Sequence, residues 1–287
     1  MRKTFTGISL RQKAGASYLL ALSLLACTET KPQVIPAPAP ALVNSEAREP
    51  NQYTELKWSD DFDGSALDQT KWVYEQGASG WGNQELQNYT NSPENVFTES
   101  GNLVIRAKQQ TPGTNSYTSG RIITKGKQSF QFGRLDVRAK VPKGKGVWPA
   151  IWMLGSDIDQ NNWPVCGEID IMELRGSKPR EMLSTMHYGT GSADHRYTGT
   201  TERLAYDLSD DFHVFSVVRS QNLMRFYLDG REYYRFSNSD ASPYPFNNPF
   251  FVILNLAIGG NFDGNPDATT TFPQQMQVDY VRFYQYK

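Results

Sequence analysis

The chain has 287 residues, and its 29 Lys and Arg nearly balance its 30 Asp and Glu. Residues 1–26 look like a removable leader with four basic residues and no acidic one. The remainder then holds 25 basic against 30 acidic residues, a net charge of −5, which argues against nucleic acid as a partner. Abundant Gly, Pro, Tyr and Phe, without a long amphipathic helical pattern, favour a single all-β domain with a large core.

The N-terminal segment has the layout of a targeting sequence. An apolar run from Tyr18 to Ala26, too short to span a bilayer, follows a positive region made by Arg2, Lys3, Arg11 and Lys13. The end of the run, Leu24-Leu25-Ala26-Cys27, looks like a bacterial lipoprotein cleavage box. We therefore expect lipid on Cys27, and a lipoprotein at the outer membrane, on the cell surface or facing the periplasm, with no other membrane contact. An ordinary secretory signal in which Cys27 is incidental is the alternative.

Residues 27–50 predict an extended tether, because they place five prolines among Ala, Glu and Ser. The folded domain is then expected over residues 51–287. If Cys27 carries lipid, Cys166 has no cysteine partner and no intramolecular disulfide is expected. A buried thiol that acts as a small hydrophobic side chain is expected there instead.

From Tyr53 onward, short runs that suit strands alternate with turns. The strands predicted most clearly are Gly101 to Lys108, Gly133 to Val141, Leu223 to Leu228 and Arg231 to Phe236. The last two are joined by Asp229-Gly230, which predicts a hairpin with a two-residue turn. Many short strands at this spacing predict a β-sandwich.

The most informative segment is Gly167-Glu168-Ile169-Asp170-Ile171-Met172-Glu173, in which only Ile and Met separate three carboxylates. Such spacers favour a buried strand, so the acids alternate with core residues. Glu168 and Asp170 share one face, whereas strict alternation would send Glu173 to the other face. One extra residue, Ile171 or Met172, bulged out of the strand returns Glu173 to the shared face.

Acids on one face of a buried strand suit a site where carboxylates do chemistry. With one residue bulged out, Glu168 and Glu173 are four pleats apart, which places their Cα atoms about 13 Å from each other. Inward-leaning side chains approach the ~5–5.5 Å of a double-displacement glycosidase, and the ~6.5–9.5 Å of single displacement stays open. Asp170 would raise the proton affinity of its neighbours or share a proton with one of them. A metal site and an exposed strand face are the alternatives.

Together with other segments, this run resembles glycoside hydrolase family 16, and within it the laminarinase-like endo-β-1,3-glucanases, over nearly all of residues 53–287. The acidic run is the specific part, because the family signature is Glu-x-Asp-x-x-Glu in its bulged form. The other matching pieces are Gly80 to Thr90, Lys143 to Leu154, Met186 to Gly189, Pro249 to Asn261 and Val278 to Tyr284.

The resemblance implies a two-sheet jelly roll with a concave substrate cleft, and a retaining endo-glycosidase. Glu168 matches the nucleophile, Glu173 the acid/base and Asp170 the helper that orients the nucleophile. No cofactor is implied for catalysis, and a monomer acting on laminarin, with mixed-linkage β-1,3-1,4-glucan as a further substrate, is expected. The same chemistry on agarose or carrageenan, or a non-catalytic β-glucan-binding protein, are the alternatives.

Aromatic planes suit the apolar faces of sugar rings. Trp148 and Trp152 lie in the segment with which the family lines its cleft, and Trp163 lies just before the acidic strand; burial in the core is the alternative for each. Trp58 and Trp72 are expected in the core. Two loops, Gln109 to Gly120 and Gly191 to Thr201, are expected to shape the groove.

Further roles follow from the resemblance alone. Hydrogen bonds to substrate hydroxyls are carried over to Asn83, Glu85, Arg121 and Asn255. His187 is expected on the strand next to the acids, near Asp170 or the substrate, with a structural histidine as the alternative. The family often binds a structural calcium ion at positions that match Asp61, Gly101 and Asp279, although Thr70 stands where an EF-hand pattern requires an acid.

Overall fold

The computed structural model describes residues 44–110 and 116–287, which form two β-sheets with a hydrophobic core between them. The larger sheet contains β1 (Glu55–Asp60), β3 (Gln87–Tyr89), β4 (Val96–Glu99), β5 (Asn102–Gln109), β6 (Tyr117–Ser119), β8 (Gly133–Lys140), β13 (His213–Ser220), β14 (Leu223–Leu228), β15 (Arg231–Ser237) and β17 (Gln274–Gln285). The smaller sheet contains β2 (Val73–Tyr74), β7 (Arg121–Ile123), β9 (Val147–Gly155), β10 (Glu168–Leu174), β11 (Glu181–Tyr188), β12 (Arg196–Arg203) and β16 (Phe250–Ile258).

The strand order places the acidic run near the middle of the smaller sheet. That sheet is ordered β12-β11-β10-β9-β16-β7-β2, and the larger sheet is ordered β15-β14-β13-β8-β17-β5-β6-β3, with β1 on β17 and β4 on β5. Apolar residues of both sheets, such as Ile169, Leu254, Val137 and Phe226, are fully buried between them. Burial of each such side chain contributes about 1.5–3 kcal/mol. The predicted β-sandwich is confirmed.

Several local predictions are confirmed as well. Strands β5 and β8 lie within a residue or two of the predicted bounds, and β14 and β15 form the predicted hairpin. Its turn has φ of 50° at Asp229 and 78° at Gly230, the left-handed pair that a two-residue turn requires. Trp72 is fully buried and Trp58 packs partly buried against the same core. Cys166 is a buried free thiol, and burial raises its pKa to about 11.

The segment from Gly191 to Thr201 is not a loop throughout. After a 3-10 turn at Ser192–Asp194, it becomes the edge strand β12, which pairs along its whole length with β11. Its sequence is mostly polar because an edge strand with a solvated face has few apolar positions, so no hydrophobic pattern marks it.

The folded unit begins earlier than the predicted boundary at residue 51. Asn44 is buried and exchanges two hydrogen bonds with the backbone of Tyr286, at 3.1 and 2.6 Å. The carbonyl of Ser45 accepts from the backbone of Gln221 at 2.7 Å. Residues 44–50 of the predicted tether therefore belong to the fold.

The predicted leader and Cys27 lie outside the described residues, so lipidation stays a prediction. Among the residues that the structure describes, no helix has the length and apolar character needed to cross a bilayer.

Candidate active site

Strand β10 is paired on both edges, with β9 and with β11. Its Ile169, Met172 and Leu174 are fully buried in the core between the sheets. Glu168 and Glu173 are only partly buried and lie on the opposite, outer side of the sheet, which we call the acidic face. The strand thus keeps its apolar side chains inside while it presents its carboxylates outside.

The predicted bulge lies between the second and third acids. Between the pairs formed by Asp170 and Glu173, two residues of β10 lie opposite the single residue Ser184 of β11. Against β9 the extra residue is Ile171. The carbonyl of Ile171 accepts hydrogen bonds from the Ser184 hydroxyl at 2.7 Å and from the Tyr233 hydroxyl of the larger sheet at 3.2 Å. These bonds satisfy a buried acceptor and hold the bulge that turns Glu173 to the acidic face.

Burial dominates the electrostatics of the three acids. It raises the pKa of Glu168, Asp170 and Glu173, to about 8 in each case. The charge of Asp170, which is only 3% exposed, raises the pKa of both glutamates further, whereas His187 lowers them. Fewer than three negative charges are therefore present near neutral pH, and the acids share protons.

Glu168 is held by an indole and flanked by an imidazole. The Nε1–H of Trp163 donates to Glu168 Oε2 at 2.9 Å. His187 lies opposite Glu168 on β11, with Nε2 3.3 Å from Asp170 Oδ2 and 3.7 Å from Glu168 Oε1. Its Nδ1 lies 2.8 Å from Nε2 of His195. His187 therefore lies on the neighbouring strand beside Asp170, as expected, and its second nitrogen contacts another histidine rather than the backbone.

The same cluster is the place where a cation would find side-chain donors. Among the described residues, Glu168, Asp170 and His187 bring ligand atoms within 4.8 Å of one another. Three donors on two stiff strands are fewer than the six to eight oxygens that Ca²⁺ takes. The Trp163 N–H is also directed at Glu168, where a hydrogen-bond donor competes with a cation. These three side chains alone therefore do not supply the oxygen shell of a Ca²⁺ ion.

Glu173 also receives a hydrogen bond from an indole. The Nε1–H of Trp148 donates to Glu173 Oε1 at 3.0 Å. The Trp148 ring stacks on Phe262, with ring centroids 4.5 Å apart and planes at 24°. The guanidinium of Arg175 covers Phe262 at 4.6 Å from the ring centroid, and its Nε donates to the Phe262 carbonyl at 3.0 Å. Each glutamate thus has one Trp N–H donor, supplied by a different element.

Trp152 is fixed from both sides by residues that were expected to bind substrate. Its Nε1–H donates to Asn255 Oδ1 at 2.7 Å, and Asn255 Nδ2 donates to the Tyr89 hydroxyl at 3.0 Å. Asn255 is only 5% exposed. The guanidinium of Arg121 lies 4.8 Å from the Trp152 ring and 4.6 Å from the Trp81 ring. Asn255 and Arg121 therefore support tryptophans of the acidic face.

Asn83 and Glu85 are tied to each other in the segment beside Trp81. Glu85 accepts hydrogen bonds from Asn83 at 3.3 Å, from Gln87 at 2.6 Å and from the Tyr89 hydroxyl at 3.3 Å. Burial raises the pKa of Glu85, and these bonds oppose the rise. Both residues lie near the acidic face, and their contacts within the protein order this segment.

At the predicted calcium positions, both acidic side chains are paired with arginines, and calcium binding stays a prediction. The Asp61 carboxylate pairs with Arg282 at 2.6 Å, and the Asp279 carboxylate pairs with Arg138 at 2.6 Å. Gly101 lies in the turn between β4 and β5, where its φ is 73°. A Ca²⁺ ion would have to displace two guanidinium groups from the two anionic ligands that the resemblance implies.

Four residues that complete the site were not expected from the sequence: Phe262, Arg175, His195 and Tyr197. Phe262 lies in the turn after β16, and it reaches Trp148 only through the tertiary fold. His195 and Tyr197 follow from the β11–β12 hairpin, in which Tyr197 pairs with His187. The Gly189–Gly191 turn signal before a histidine, read as a hairpin, would have pointed to His195.

The arrangement is chemically suited to cleaving an acetal. The carboxyls of Glu168 and Glu173 flank the buried Asp170. Glu168 lies beside His187, and Glu173 is influenced by the charge of Arg175. A pair in which one carboxyl is ionised and the other is protonated supplies a nucleophile and an acid.

Comparison with known proteins agrees with this geometry. Residues 83–282 match the sequence profile of glycosyl hydrolases family 16. The chain is 43% identical over 262 residues to glucan endo-1,3-beta-glucosidase A1 of Niallia circulans, covering 80% of this chain and 37% of that protein. It is 39% identical over 264 residues to a beta-glucanase of Rhodothermus marinus, covering 86% of this chain and 90% of that protein.

The fold also matches that of a solved laminarinase structure. The laminarinase catalytic domain from Thermotoga maritima MSB8 aligns with a TM-score of 0.75 and 40% identity, covering 81% of this chain and 98% of that one. The predicted jelly roll is thereby confirmed. The chain spans little more than a third of the Niallia protein and nearly all of the other two.

Proposed function

This chain belongs to glycosyl hydrolases family 16, and on that basis we propose that it is a retaining endo-glycosidase that hydrolyses β-1,3-glucan of the laminarin type, with mixed-linkage β-1,3-1,4-glucan as a second substrate. The observation that carries the proposal is the bulge in β10, which turns Glu173 to the face that also holds Glu168. Each glutamate then meets its own indole N–H donor, at 2.9 and 3.0 Å.

In the first step, Glu168 attacks the anomeric carbon while Glu173 donates its proton to the departing glycosidic oxygen. The carbon–oxygen bond of the glycoside breaks, an ester bond to Glu168 forms, and the leaving sugar departs as a neutral alcohol. The raised pKa of Glu173 keeps the acid protonated near neutral pH. The pKa of Glu168 is also raised to about 8, so the acids share protons between them. The Trp163 hydrogen bond and His187 oppose that rise and so favour the ionised form of Glu168 that attacks.

In the second step, Glu173, now a carboxylate, takes a proton from water as the water oxygen attacks the anomeric carbon. The ester bond to Glu168 breaks, and two inversions leave the product with the original configuration. Asp170, buried beside Glu168, orients the nucleophile and shares a proton with it.

The test measures release of reducing sugar by purified protein from laminarin, mixed-linkage β-glucan, agarose and κ-carrageenan, with the anomeric configuration of the first product read by NMR. We expect cleavage of laminarin with retention and slower cleavage of mixed-linkage glucan. Cleavage of a galactan alone would replace the substrate while keeping the chemistry, and an inverted product would exclude Glu168 as the nucleophile.

Glu168→Gln is the matched variant, since glutamine keeps the size of the side chain but cannot attack. We expect hydrolysis to fall by about 10⁴-fold or more, with laminarin still retained in affinity electrophoresis. If folded wild-type protein retained laminarin but released no sugar from any of the four polymers, the non-catalytic binding protein would be the correct function.

A further inference from the structure

The turn after β16 reaches the acid/base of the proposed reaction through a three-layer stack. Phe262 is the middle layer, with Trp148 on one side at 4.5 Å and the guanidinium of Arg175 on the other at 4.6 Å. Trp148 in turn donates its N–H to Glu173. Phe262 has no polar side-chain atom, so it acts on Glu173 only through its two neighbours. One is the indole that donates to Glu173, and the other is the Arg175 guanidinium, whose charge lowers the pKa of Glu173.

The position of Phe262 is fixed by the next residue. Asp263 is only 5% exposed, and its Oδ2 accepts from the backbone N–H of Gly146 at 2.9 Å and of Ser177 at 3.1 Å. The hydroxyl of Ser177 donates to Oδ1, and the ammonium of Lys145 donates to the Asp263 carbonyl. These bonds tie the turn to the segments next to β9 and β10, which holds the backbone of Phe262 in place beside Trp148.

We propose that Phe262 is a positioning residue for the acid/base: it holds the Trp148 indole where its N–H directs the Glu173 carboxyl towards the leaving oxygen. The proposal rests on the proposed role of Glu173. The stack at 24° leaves Trp148 little freedom to rotate, because a tilt of the ring would clash with Phe262 or separate the two faces. Without Phe262, the indole would lose one packed face and Glu173 would lose its fixed donor.

Loss of Phe262 is expected to affect only the transfer of a proton from Glu173 to the leaving group. Protonation by Glu173 matters when the leaving group is a poor one, such as an alcohol, and matters little when the leaving group departs readily as an anion. Attack by Glu168 is needed for every leaving group. A residue that positions the acid alone therefore changes the dependence of the rate on the leaving group, which a general loss of folding or of sugar binding does not.

The experiment compares phenyl and dinitrophenyl β-laminaribioside as substrates. It uses kcat/KM, which covers binding and the first chemical step and is independent of the hydrolysis of the glycosyl-enzyme. For Phe262→Ala we expect kcat/KM to fall about 10-fold or more for the phenyl glycoside, and by less than about 2-fold for the dinitrophenyl glycoside. Phe262→Tyr keeps the ring and restores both values. Phe97→Ala is the matched control, because Phe97 also lies under an arginine, Arg106, at 4.4 Å, but on β4 of the other sheet.

Equal losses on the two glycosides, or no loss on either, would overturn the proposal, as would failure of Phe262→Tyr to recover the phenyl rate. Glu173→Gln is measured in parallel. If Glu173→Gln also loses the same share of kcat/KM on both glycosides, the acid/base assignment itself fails. If Glu173→Gln loses more on the phenyl glycoside but Phe262→Ala does not, the assignment stands and the positioning role is wrong.

Discussion

The two glutamates of β10 lie five residues apart on one strand, yet they are held in different ways. The donor to Glu173, Trp148, comes from the central strand β9 and is packed against Phe262, which a buried aspartate fixes. The donor to Glu168, Trp163, comes from the connection between β9 and β10 and is 38% exposed. His195 contacts its ring, and Tyr197, which is 69% exposed, contacts His195 in turn.

The difference indicates which half of the site is complete before substrate arrives. Near Glu173, one face of the half-buried Trp148 is already covered by Phe262, so the orientation of the acid is set by the fold. Around Glu168 the exposed faces of Trp163 and Tyr197 remain available to a sugar ring, which would bury them and exclude water from the nucleophile. The acid side is preorganised, whereas the nucleophile side is completed by binding.

After Glu168→Gln, the largest expected effect comes from Glu173→Gln, which removes the proton but keeps the shape of the side chain. We expect kcat/KM on laminarin to fall by about 10²–10⁴-fold, the usual contribution of general acid catalysis. The fall on dinitrophenyl β-laminaribioside should be far smaller, and added azide should speed the second step, because a small anion needs no general base. Steady-state kinetics on the two substrates checks this. An equal loss of kcat/KM on both substrates, without rescue by azide, would contradict separate roles for the Glu173 side and the Glu168 side of the site.

Two tryptophan variants, with smaller expected effects, compare the donor to Glu173 with the donor to Glu168. Trp148→Phe and Trp163→Phe each remove one N–H donor to a carboxyl, a bond worth about 1.5–3 kcal/mol when charge is involved. We expect Trp148→Phe to lower kcat/KM on the phenyl glycoside about 10-fold or more. Trp163→Phe should cost only about 3-fold, because water replaces an exposed donor, and it should act equally on both leaving groups. A larger loss for Trp163→Phe would show that the exposed half is as rigidly set as the buried one.

The sequence predicted those parts of the molecule that carry their own local signal. The Asp229-Gly230 turn needs two left-handed residues, and the residue types at those positions supply them. The bulge in β10 followed from three acids that simple alternation could not place on one face. Pairings such as β13 with β8, or β17 with β8, depend on contacts between distant segments that no local pattern records.

Within the site, the acids were predictable and their supports were not. Asn255 and Arg121 are predicted to contact sugar, and the structure shows in addition that they hold Trp152. A polar residue near a cleft has the same sequence signature whether it faces a hydroxyl or an indole. Phe262 had no signature at all, because a single aromatic residue in a turn becomes informative only when the fold stacks it on Trp148.

The smallest expected effect tests the acid that both halves share. Burial raises the pKa of Asp170 from 3.8 to about 8, so the folded protein binds this proton more tightly than the unfolded chain. The resulting stabilisation is fully present below about pH 4 and is lost as the pH rises through about 8. Asp170→Asn cannot titrate, so this part of the pH dependence should disappear from its free energy of unfolding.

Thermal unfolding at about pH 5 and about pH 8 measures the effect within each protein, which cancels any constant offset from the substitution. We expect the Tm of the wild type to fall by several degrees more than that of Asp170→Asn over this interval, because only the wild type loses the bound proton. Asp68→Asn is the control, because hydrogen bonds from Thr70 lower the pKa of Asp68 and keep it ionised throughout this range. Equal pH slopes for wild type and Asp170→Asn would mean that Asp170 is ionised in the folded protein. Its negative charge would then raise the pKa of both glutamates. Only the two tryptophans would then distinguish the surroundings of Glu168 from those of Glu173.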